Sequence, residues 1–219
     1  IIIWLVGCKK GSNETTITGE IKGLGTDTLY LYGMDELYDR IDTIYVENDK
    51  FSYTTSVDTI TSAYLLLKNR IEYPVFLDKG NKIKIKGDTI NLNFLTISGN
   101  IYNEEFTDFQ KALEDPADPS EKAGEETVDK RITVEKANTA EEMAEEFILQ
   151  HHSSYVSLYL LDKYFVQKET PDFSKIKKLV EVMTGVLQDK PYIERLNETI
   201  TQAEKSEIGK YAPFFSLPN

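Results

Sequence analysis

Residues able to carry acid–base or metal chemistry are concentrated in the stretch "EEMAEE", residues 141–146. On a helix, Glu141 stands about one turn from Glu145, and Glu142 about one turn from Glu146. Carboxylates paired in this way can bind calcium or divide acid and base roles between them. Like charges four residues apart are also typical of a solvated helix face, and no glycine-turned loop with alternating aspartates accompanies them. We therefore interpret the stretch as a solvated face.

The two histidines, His151 and His152, are the only ones in the chain. Adjacent residues lie about 100° apart around a helix, so these side chains cannot bind one metal ion as an i, i+4 pair. We expect His152 to cap the end of a helix, where a histidine is favourable. The chain also has no GxSxG nucleophile elbow and no phosphate-binding glycine loop. We predict no catalytic residue, no metal site and no bound cofactor.

The single cysteine, Cys8, closes the opening stretch "IIIWLVGC". A cycle between dithiol and disulfide needs two thiols, so this chain by itself cannot perform one. Leu5, Val6 and Gly7 before it resemble a bacterial lipobox, in which a small residue admits the signal peptidase and the thiol receives a diacylglycerol group. An apolar run that turns abruptly polar is typical of the end of a secretory signal peptide. We expect a mature protein that begins at lipidated Cys8.

Two other interpretations of Cys8 remain open: a buried cysteine in an N-terminal strand, and the end of a transmembrane helix. A membrane span needs about 20 apolar residues, far more than the visible run from Ile1 to Val6. The stretch "KKGSNE" after the cysteine is basic first, whereas an acidic run there resembles the pattern of surface export. We expect a lipid anchor in the cell envelope, on the periplasm-facing side of the outer membrane.

Tyrosines recur in the predicted strands of the first half of the chain, at Tyr30, Tyr32, Tyr45 and Tyr53. Alternate residues of a strand share one face of the sheet. These tyrosines are therefore a possible binding face, on which sugars stack or a partner docks. Aromatic residues in strands are more often explained by packing and strand propensity, and this interpretation stays open beside the first.

The charge balance excludes one class of partner. The chain has 219 residues and a net charge of −12, from 37 acidic and 25 basic residues. No run of lysine and arginine interleaved with aromatic residues forms a track for phosphates, so we predict that the chain does not bind nucleic acid. Its 13 tyrosines and 10 phenylalanines exceed the usual content of a disordered segment, so we expect a packed protein.

Residues 16–100 show short alternating runs separated by turn residues, which predicts a β domain. In "RIDTIYVENDKFSYTTSV" a hairpin turns at "ENDK", and in "PVFLDKGNKIKIKGD" a second hairpin turns at residues 78–81. Isoleucines alternate with Lys82, Lys84 and Lys86, which predicts one solvent-facing side and one buried side. Such lysines discourage pairing of a sheet edge with another chain. Six to eight strands of this kind indicate an antiparallel β-sandwich or a partial barrel.

Residues 101–207 show the helical period and predict a small helical domain, so the expected fold class is α+β. A helix with apolar residues at 140, 143, 144, 147 and 148 is predicted to start at Thr139, which with Glu142 forms a capping box. Two further apolar stripes lie within "PDFSKIKKLVEVMTGVL" and "KPYIERLNETITQAEK", with Pro191 suited to a first helical turn. Residues 1–15 are interpreted as a signal remnant and tether.

The ordered set of motifs resembles a known family. A lipobox, then "TGEIKGL", "TLYLYG", "IDTIYVENDKFSYT", "YPVFLDKGNKIKIKGD" and "ISGNIYNEEF", then helices and "IGKYAPFFSLPN", are similar to the N-terminal part of Bacteroidetes thioredoxin-like lipoproteins of the TlpA/AhpC-TSA class. In that family an uncharacterised β domain and a helical segment precede a thioredoxin-fold domain. The resemblance covers the chain from Cys8 to Asn219.

The sharpest part of the resemblance is the stretch 208–219. "GKYAPFFSLPN" is similar to the lead-in strand of such thioredoxin domains, with Phe215 and Leu217 on its apolar positions. Phe214 departs from the pattern, because the family commonly has a polar residue there. The redox Cys-x-x-Cys pair does not occur in this chain, so the resemblance attributes redox activity to the parent architecture only. We expect residues 214–219 to be extended and weakly packed.

Two functions follow as hypotheses. In the first, the chain is the non-catalytic accessory region of a membrane-anchored thiol–disulfide oxidoreductase-like lipoprotein and binds a protein client or partner, beside a downstream thioredoxin domain. In the second, it is a free-standing envelope lipoprotein that binds a glycan or an outer-membrane protein through its tyrosine-rich sheet. On both hypotheses this chain is not itself an enzyme.

Overall fold

The computed structural model describes residues 13–34, 37–67, 70–114 and 129–206, with the backbone alone for 129–139 and 206. The chain divides into two compact units at residue 119. We call the described part of the first the β unit and that of the second the helical unit. Among the described residues, no helix combines the length and apolar character needed to cross a membrane. The predicted lipobox residues Leu5, Val6, Gly7 and Cys8, and the stretch 208–219, lie outside the described residues.

The described strands of the β unit are β1 (Glu14–Lys22), β2 (Asp27–Gly33), β3 (Ile41–Val46), β4 (Lys50–Ser56), β5 (Thr61–Leu66), β6 (Glu72–Leu77), β7 (Lys82–Asp88) and β8 (Thr96–Ser98). They form two four-stranded sheets. Sheet 1 has the order β4-β1-β7-β8, and sheet 2 has the order β3-β2-β5-β6. All pairs are antiparallel except β1 with β7, which run parallel. The predicted α+β class with a sandwich-like β domain is confirmed.

The core lies between the two sheets. Each strand turns alternate apolar side chains inward because successive side chains of a strand point to opposite faces. Ile17 and Ile83 in sheet 1, and Leu29 and Leu31 in sheet 2, are fully buried. Gly19 on β1 makes room for the ring of Phe51 on β4, which lies directly opposite it in the register.

The β3–β4 turn carries the chain from one sheet to the other. Asn48 and Asp49 have φ values of 52° and 69°, so both central residues lie in the left-handed region that a type I′ turn requires. The amide of Glu47 donates to the carbonyl of Lys50 at 2.9 Å. The predicted turn at "ENDK" is therefore confirmed, although β3 and β4 belong to different sheets.

The second predicted hairpin is wrong. β6 pairs with β5 in sheet 2, whereas β7 pairs with β1 and β8 in sheet 1, so the turn at residues 78–81 connects the sheets instead of joining two paired strands. β7 therefore lies inside its sheet. Lys82, Lys84 and Lys86 cannot guard a sheet edge, as the sequence suggested, and they project from the middle of sheet 1.

Helix α1 (Ile101–Glu114) belongs to the β unit, whereas the sequence boundary at residue 100 assigned it to the helical domain. Its Asn103 and Phe106 are buried, and it contacts β8 and β6, the last strands of the two sheets. Asn100 begins the helix by accepting a hydrogen bond from the Asn103 amide at 3.0 Å. The helix packs here because its apolar face extends the core: the Phe106 ring centre lies 5.7 Å from that of Tyr73 and 6.4 Å from that of Phe76 on β6.

The helical unit contains α2 (Asp129–Gln150), α3 (Tyr155–Leu161), a π-helical turn (Asp162–Val166), α4 (Phe173–Val182), a 3₁₀ turn (Gly185–Leu187) and α5 (Pro191–Ser206). The predicted helix start at Thr139 is wrong, because α2 begins ten residues earlier. Ser154 caps α3 and Asp172 caps α4, each side chain accepting a hydrogen bond from the first turn. Pro191 is the first residue of α5, as predicted.

The helical core is built from the predicted apolar stripes. Ile148 of α2, Ile176 and Leu179 of α4, and Ile193 of α5 are buried, and every residue of α3 is buried. Val186 is the exception, since 56% of it is exposed. The reason is that α4 ends at Val182, so Val186 no longer follows the helical stripe.

Candidate functional site

The outer side of sheet 2 is the strongest candidate for a binding site. On β2, Leu29 and Leu31 point into the core, so Tyr30 and Tyr32 must point outward. In the register of the sheet, Tyr30 lies between Thr43 of β3 and Leu66 of β5. This alternation is encoded directly in the strand sequence "TLYLYG".

Neighbouring strands extend this outer surface. Ile41 of β3 and Tyr64 of β5 stand on either side of Tyr32, while Tyr45 stands two outward positions along β3 from Ile41. We call the resulting surface the tyrosine face. It consists of Ile41, Tyr45, Tyr30, Tyr32, Tyr64 and Leu66.

The tyrosine face is unusually exposed for its composition. Tyr45 is 73% exposed, Ile41 72% and Tyr30 41%, whereas the inward neighbours Leu29 and Leu31 have no exposed surface. Scattered exposed apolar side chains are ordinary, but a contiguous group on one side of a sheet indicates an interaction surface. Tyrosine suits such a surface because its ring contributes apolar area while its hydroxyl remains available for hydrogen bonds.

One end of the tyrosine face is held in place by a side-chain pair. The rings of Tyr32 and Tyr64 lie 5.6 Å apart at a tilt of 39°, and the Tyr32 hydroxyl donates to the Glu72 carboxylate. Burial and this hydrogen bond raise the pKa of Tyr32 above its usual range. Tyr32 is therefore a fixed, neutral hydrogen-bond donor. Tyr45 is the more exposed tyrosine of the surface.

Tyr53 does not lie on the tyrosine face. It belongs to β4 in sheet 1 and shares the inward side of that strand with Phe51 and Thr55. The sequence grouped it with Tyr45 because the two alternate across one hairpin. The hairpin changes sheet at its turn, so the structure brings together Tyr30, Tyr32 and Tyr45 but separates Tyr53 from them.

Tyr53 instead joins a polar cluster around Asp42, at the end of β3. Tyr38 donates to the Asp42 carboxylate, and Arg40 Nε donates to it at 3.2 Å. The Arg40 guanidinium also donates to the Ser56 carbonyl at 3.0 Å and lies 4.5 Å from the centre of the Tyr38 ring. The cluster therefore connects β3 of sheet 2 with β4 of sheet 1.

The protonation states in this cluster are set by burial and by the partners. Burial by itself raises the pKa of the Asp42 carboxyl, but hydrogen bonds from Tyr38 and Tyr53, together with Arg40, bring the net pKa below its ordinary value. Burial and the Asp42 hydrogen bond raise the pKa of Tyr38 above its usual range. An ionised carboxylate held by three donors is a structural bridge, with no free group left for acid–base chemistry.

The acidic stretch 141–146 forms ion pairs in the helical unit. Lys175 Nζ lies 2.7 Å from the Glu145 carboxylate and 3.4 Å from that of Glu141, which also pairs with Lys168. Burial raises the pKa of Glu141, but the two lysines more than offset this and lower it. Glu141 and Glu145 are neutralised by lysines that connect α2 to α4 and the segment before it. Glu142 and Glu146 are exposed, as expected for a solvated helix face.

The histidines have separate environments. The His151 ring stacks on Phe147, with 4.1 Å between ring centres and 6° between planes, whereas His152 is exposed. The backbone amide of His151 closes the last turn of α2 by donating to the Phe147 carbonyl at 2.8 Å. The capping role of His152 stays a prediction. Within the described ranges, no group of three or more histidine, cysteine, aspartate and glutamate side chains has a geometry that would hold a metal ion.

Sequence reasoning missed Ile41, Tyr64 and Leu66 as members of the tyrosine face. The sequence could have identified Ile41, because it is separated from Tyr45 by an even number of positions along one strand and therefore shares its side of the sheet. Tyr64 and Leu66 carried none, since their place beside β2 depends on a pairing between strands about 30 residues apart.

Comparison with known proteins adds one match. Residues 15–106 match the family described as Domain of unknown function (DUF4369). The matched segment spans the eight strands and the first part of α1, including Asn103 and Phe106. Searches of curated proteins and of solved structures find no match to this chain.

Proposed function

We propose that this chain is the non-catalytic accessory region of a lipid-anchored envelope protein, and that its β unit binds a protein client or partner through the tyrosine face. The observation that carries the proposal is the exposure of Ile41 and Tyr45 on β3, 72% and 73% respectively. Two large apolar side chains held in water on a rigid strand have a free-energy cost that a partner relieves by covering them.

The aliphatic members of the face favour a protein over a sugar. A sugar ring stacks on aromatic rings and takes hydrogen bonds at its hydroxyls. Ile41 and Leu66 offer neither interaction, whereas a protein partner gains from burying them. The mixture of tyrosine hydroxyls and aliphatic surface is the composition of a protein interface core.

The second candidate is a free-standing envelope lipoprotein that binds a glycan or an outer-membrane protein. It is supported by the exposed rings of Tyr30 and Tyr45 on neighbouring strands, which form a platform on which a sugar can stack. In this case the aromatic members of the face contribute most of the affinity, and Ile41 contributes little.

The identity of the parent protein rests on the order of the sequence motifs. Their resemblance to thioredoxin-like lipoproteins supports an envelope thiol–disulfide oxidoreductase, with Cys8 as its lipid anchor. Reading the coding sequence beyond Asn219 tests this directly. A Cys-x-x-Cys pair roughly 35 to 45 residues further on supports a redox parent, and an in-frame stop codon contradicts it. Mass spectrometry of Cys8 in the protein from its own membranes tests the anchor.

Site-specific photo-crosslinking tests the binding face. A photoreactive phenylalanine analogue at Tyr45 in the full-length protein, expressed in its native envelope, is expected to form an adduct with one discrete protein. The matched control carries the same analogue at Ser52, which is exposed on the outer side of sheet 1. Ile41→Ser should abolish the adduct at Tyr45 without altering protein abundance.

The outcomes separate the two candidates. An adduct at Tyr45 that is absent at Ser52 and is lost with Ile41→Ser supports protein binding. Specific retention on a glycan array that is lost with Tyr45→Ser but retained with Ile41→Ser supports the glycan candidate. Equal crosslinking from Tyr45 and Ser52 contradicts a role for the tyrosine face.

A further inference from the structure

The outer side of sheet 1 is chemically opposite to the tyrosine face. It has no large apolar side chain, and its four strands contribute lysines, hydroxyl side chains and three carboxylates. We call it the lysine face. Its members are Lys50, Ser52, Thr54 and Ser56 on β4, Glu14, Thr16, Thr18, Glu20 and Lys22 on β1, Lys82, Lys84, Lys86 and Asp88 on β7, and Thr96 and Ser98 on β8.

The lysines are arranged as a row in the middle of the sheet. Lys82, Lys84 and Lys86 occupy successive outward positions of β7, so their Cα atoms are about 6.6 Å apart. β7 lies between β1 and β8, and Lys86 stands directly across from Glu20, with Lys50 on the next strand. All three lysines of the row are exposed. Because they occupy alternate positions of one strand, their side chains project from the same side of the sheet.

The charge of the face opposes the charge of the chain. Its five lysines exceed its three carboxylates, Glu14, Glu20 and Asp88, so the face carries a net charge of +2 in a chain of net charge −12. Among the described residues, the structure shows no ion pair to any of these five lysines. The lysines in the helical unit, by contrast, include Lys168, Lys175 and Lys177, which pair with glutamates.

We propose that the lysine face docks against an anionic membrane surface. A flat row of cations flanked by hydroxyl groups is complementary to a plane of lipid phosphates, and each lysine near such a surface adds to binding. An acidic protein would match the charge as well. The face has no apolar centre of the kind that a stable protein interface buries, which favours the membrane.

The length of the tether is consistent with this orientation. The proposal rests on the lipid anchor at Cys8 proposed above, and β1 begins at Glu14, six residues later. Six residues reach at most about 20 Å, so the start of β1 is held near the bilayer. Thr16 on β1 is directly beside Lys82 in the register. The diacylglycerol on Cys8 keeps the chain at the membrane, and a basic surface adds attraction that sets which side of the sandwich faces the bilayer.

The sandwich then places the tyrosine face away from the membrane. The inner sides of sheets 1 and 2 both face the core, so their outer sides point in opposite directions. Docking through the lysine face turns Ile41 and Tyr45 toward the solvent, where a partner can reach them. Each outer side of the sandwich then has one contact, the membrane for the lysine face and a partner for the tyrosine face.

Vesicle flotation with the unlipidated protein tests the proposal. The chain from residue 8 onward, with Cys8→Ser, is mixed with vesicles of phosphatidylcholine alone or with about 30% phosphatidylglycerol added as the anionic lipid. The test variant carries Lys82→Gln, Lys84→Gln and Lys86→Gln. The control carries Lys111→Gln, Lys178→Gln and Lys205→Gln, which are exposed lysines outside the face and give the same change in net charge.

The expected result is salt-sensitive binding to the anionic vesicles above the phosphatidylcholine baseline. The face variant should lose roughly tenfold or more of its partition coefficient, and the control variant less than about twofold, because the attraction falls off within a Debye length. Equal losses in the two variants, or no preference for anionic vesicles, overturn the proposal. Binding to polyglutamate without binding to vesicles also overturns it and indicates an acidic protein instead.

This experiment is independent of partner binding. It leaves Tyr45 and Ile41 unchanged and needs no lipid anchor, so a failure of docking does not affect the crosslinking test. Urea denaturation of both triple variants should give the wild-type midpoint, since all six side chains are exposed.

Discussion

The side chain of Asn103 on α1 pairs with both backbone polar groups of Phe76 on the edge strand β6. The Phe76 amide donates to Asn103 Oδ1 at 3.0 Å, and Asn103 Nδ2 donates to the Phe76 carbonyl at 2.8 Å. Among the described residues β6 is the last strand of sheet 2, so a side-chain amide takes the place of a neighbouring strand at Phe76. Asn103 is fully buried, so these two backbone groups of the edge strand are shielded from water and from pairing with another chain.

Replacing Asn103 with alanine should destabilise the β unit by about 2–4 kcal/mol, because it leaves the buried Phe76 amide without its hydrogen-bond acceptor and creates a cavity. Urea denaturation measures the change. Asn93→Ala, at an exposed turn position in the same unit, is the control and should change the free energy of unfolding by less than about 0.5 kcal/mol. A similar small effect for Asn103→Ala would contradict the edge-closing role.

Thr107 closes the edge of the other sheet in the same way. Its hydroxyl accepts from the Ile97 amide at 3.0 Å and donates to the Ile97 carbonyl at 3.0 Å. Thr107→Val keeps the shape and removes the hydroxyl, so we expect a loss of about 1–3 kcal/mol in the free energy of unfolding. Thr107→Ser retains the hydroxyl and should cost clearly less. If serine is no better than valine, these hydrogen bonds do not contribute.

The Phe51 ring occupies the space that a side chain at position 19 would need. A Cβ on Gly19 would lie 2.1 Å from Cζ of Phe51, so Gly19→Ala should cost about 1–3 kcal/mol through overpacking. The ring is the obstacle, and Phe51→Ala removes it. The double variant should therefore be less destabilised than the sum of the two single variants, as measured by a double-mutant cycle in urea. Strict additivity would show that the glycine is needed for another reason.

Asp42 should make the stability of the β unit depend on pH. Its pKa is lower in the folded state than in the unfolded state. Its contribution is therefore full above the unfolded pKa of about 3.9 and is lost as the pH falls through the folded pKa. Asp42→Asn should be less stable than the wild type at neutral pH.

The measurement is the free energy of unfolding of the wild type and Asp42→Asn across acid pH. The difference between them should be constant at neutral pH and shrink between about pH 5 and pH 2. Other carboxylates contribute equally to both proteins, so the difference isolates Asp42. Two curves that stay parallel throughout would show that the Tyr38 and Arg40 contacts do not favour the ionised form.

The tyrosine face should be dispensable for folding. Tyr45→Thr and Ile41→Thr retain a strand-forming residue at exposed positions and should each change stability by less than about 0.5 kcal/mol. Leu31→Ala, one strand away but fully buried, should cost about 2–5 kcal/mol. Thermal denaturation compares the three. A large loss from Tyr45→Thr would assign this side chain to packing, the alternative that the sequence left open.

Local patterns predicted local structure well. The alternation in "KIKIKGD" identified the buried Ile83 and Ile85 and the exposed lysines between them, and the turn residues of "ENDK" identified the turn in which Asn48 and Asp49 have positive φ. These predictions succeeded because they depend on the two-residue period of a strand and on the allowed φ values of single residues.

Predictions that required a partner strand were less successful. The turn at residues 78–81 has the same local composition as a hairpin turn, yet its two strands pair with β5 and β1 instead of with each other. Tyr53 was placed on the wrong face for the same reason. A turn sequence specifies that the chain reverses its direction. It does not specify which strand will pair with the strand that follows the turn.

The sequence by itself determined the alternating burial along the strands, where the strands and their turns lie, and the apolar stripes of the helices apart from Val186. Only the tertiary structure decided the parallel pairing of β1 with β7, the contact of Asn103 with Phe76, and the separation of lysines and tyrosines onto opposite outer sides of the sandwich. The physical reason is that burial follows from each side chain's own affinity for water. Pairing is decided by contacts between residues far apart in the chain, which form together when the core closes.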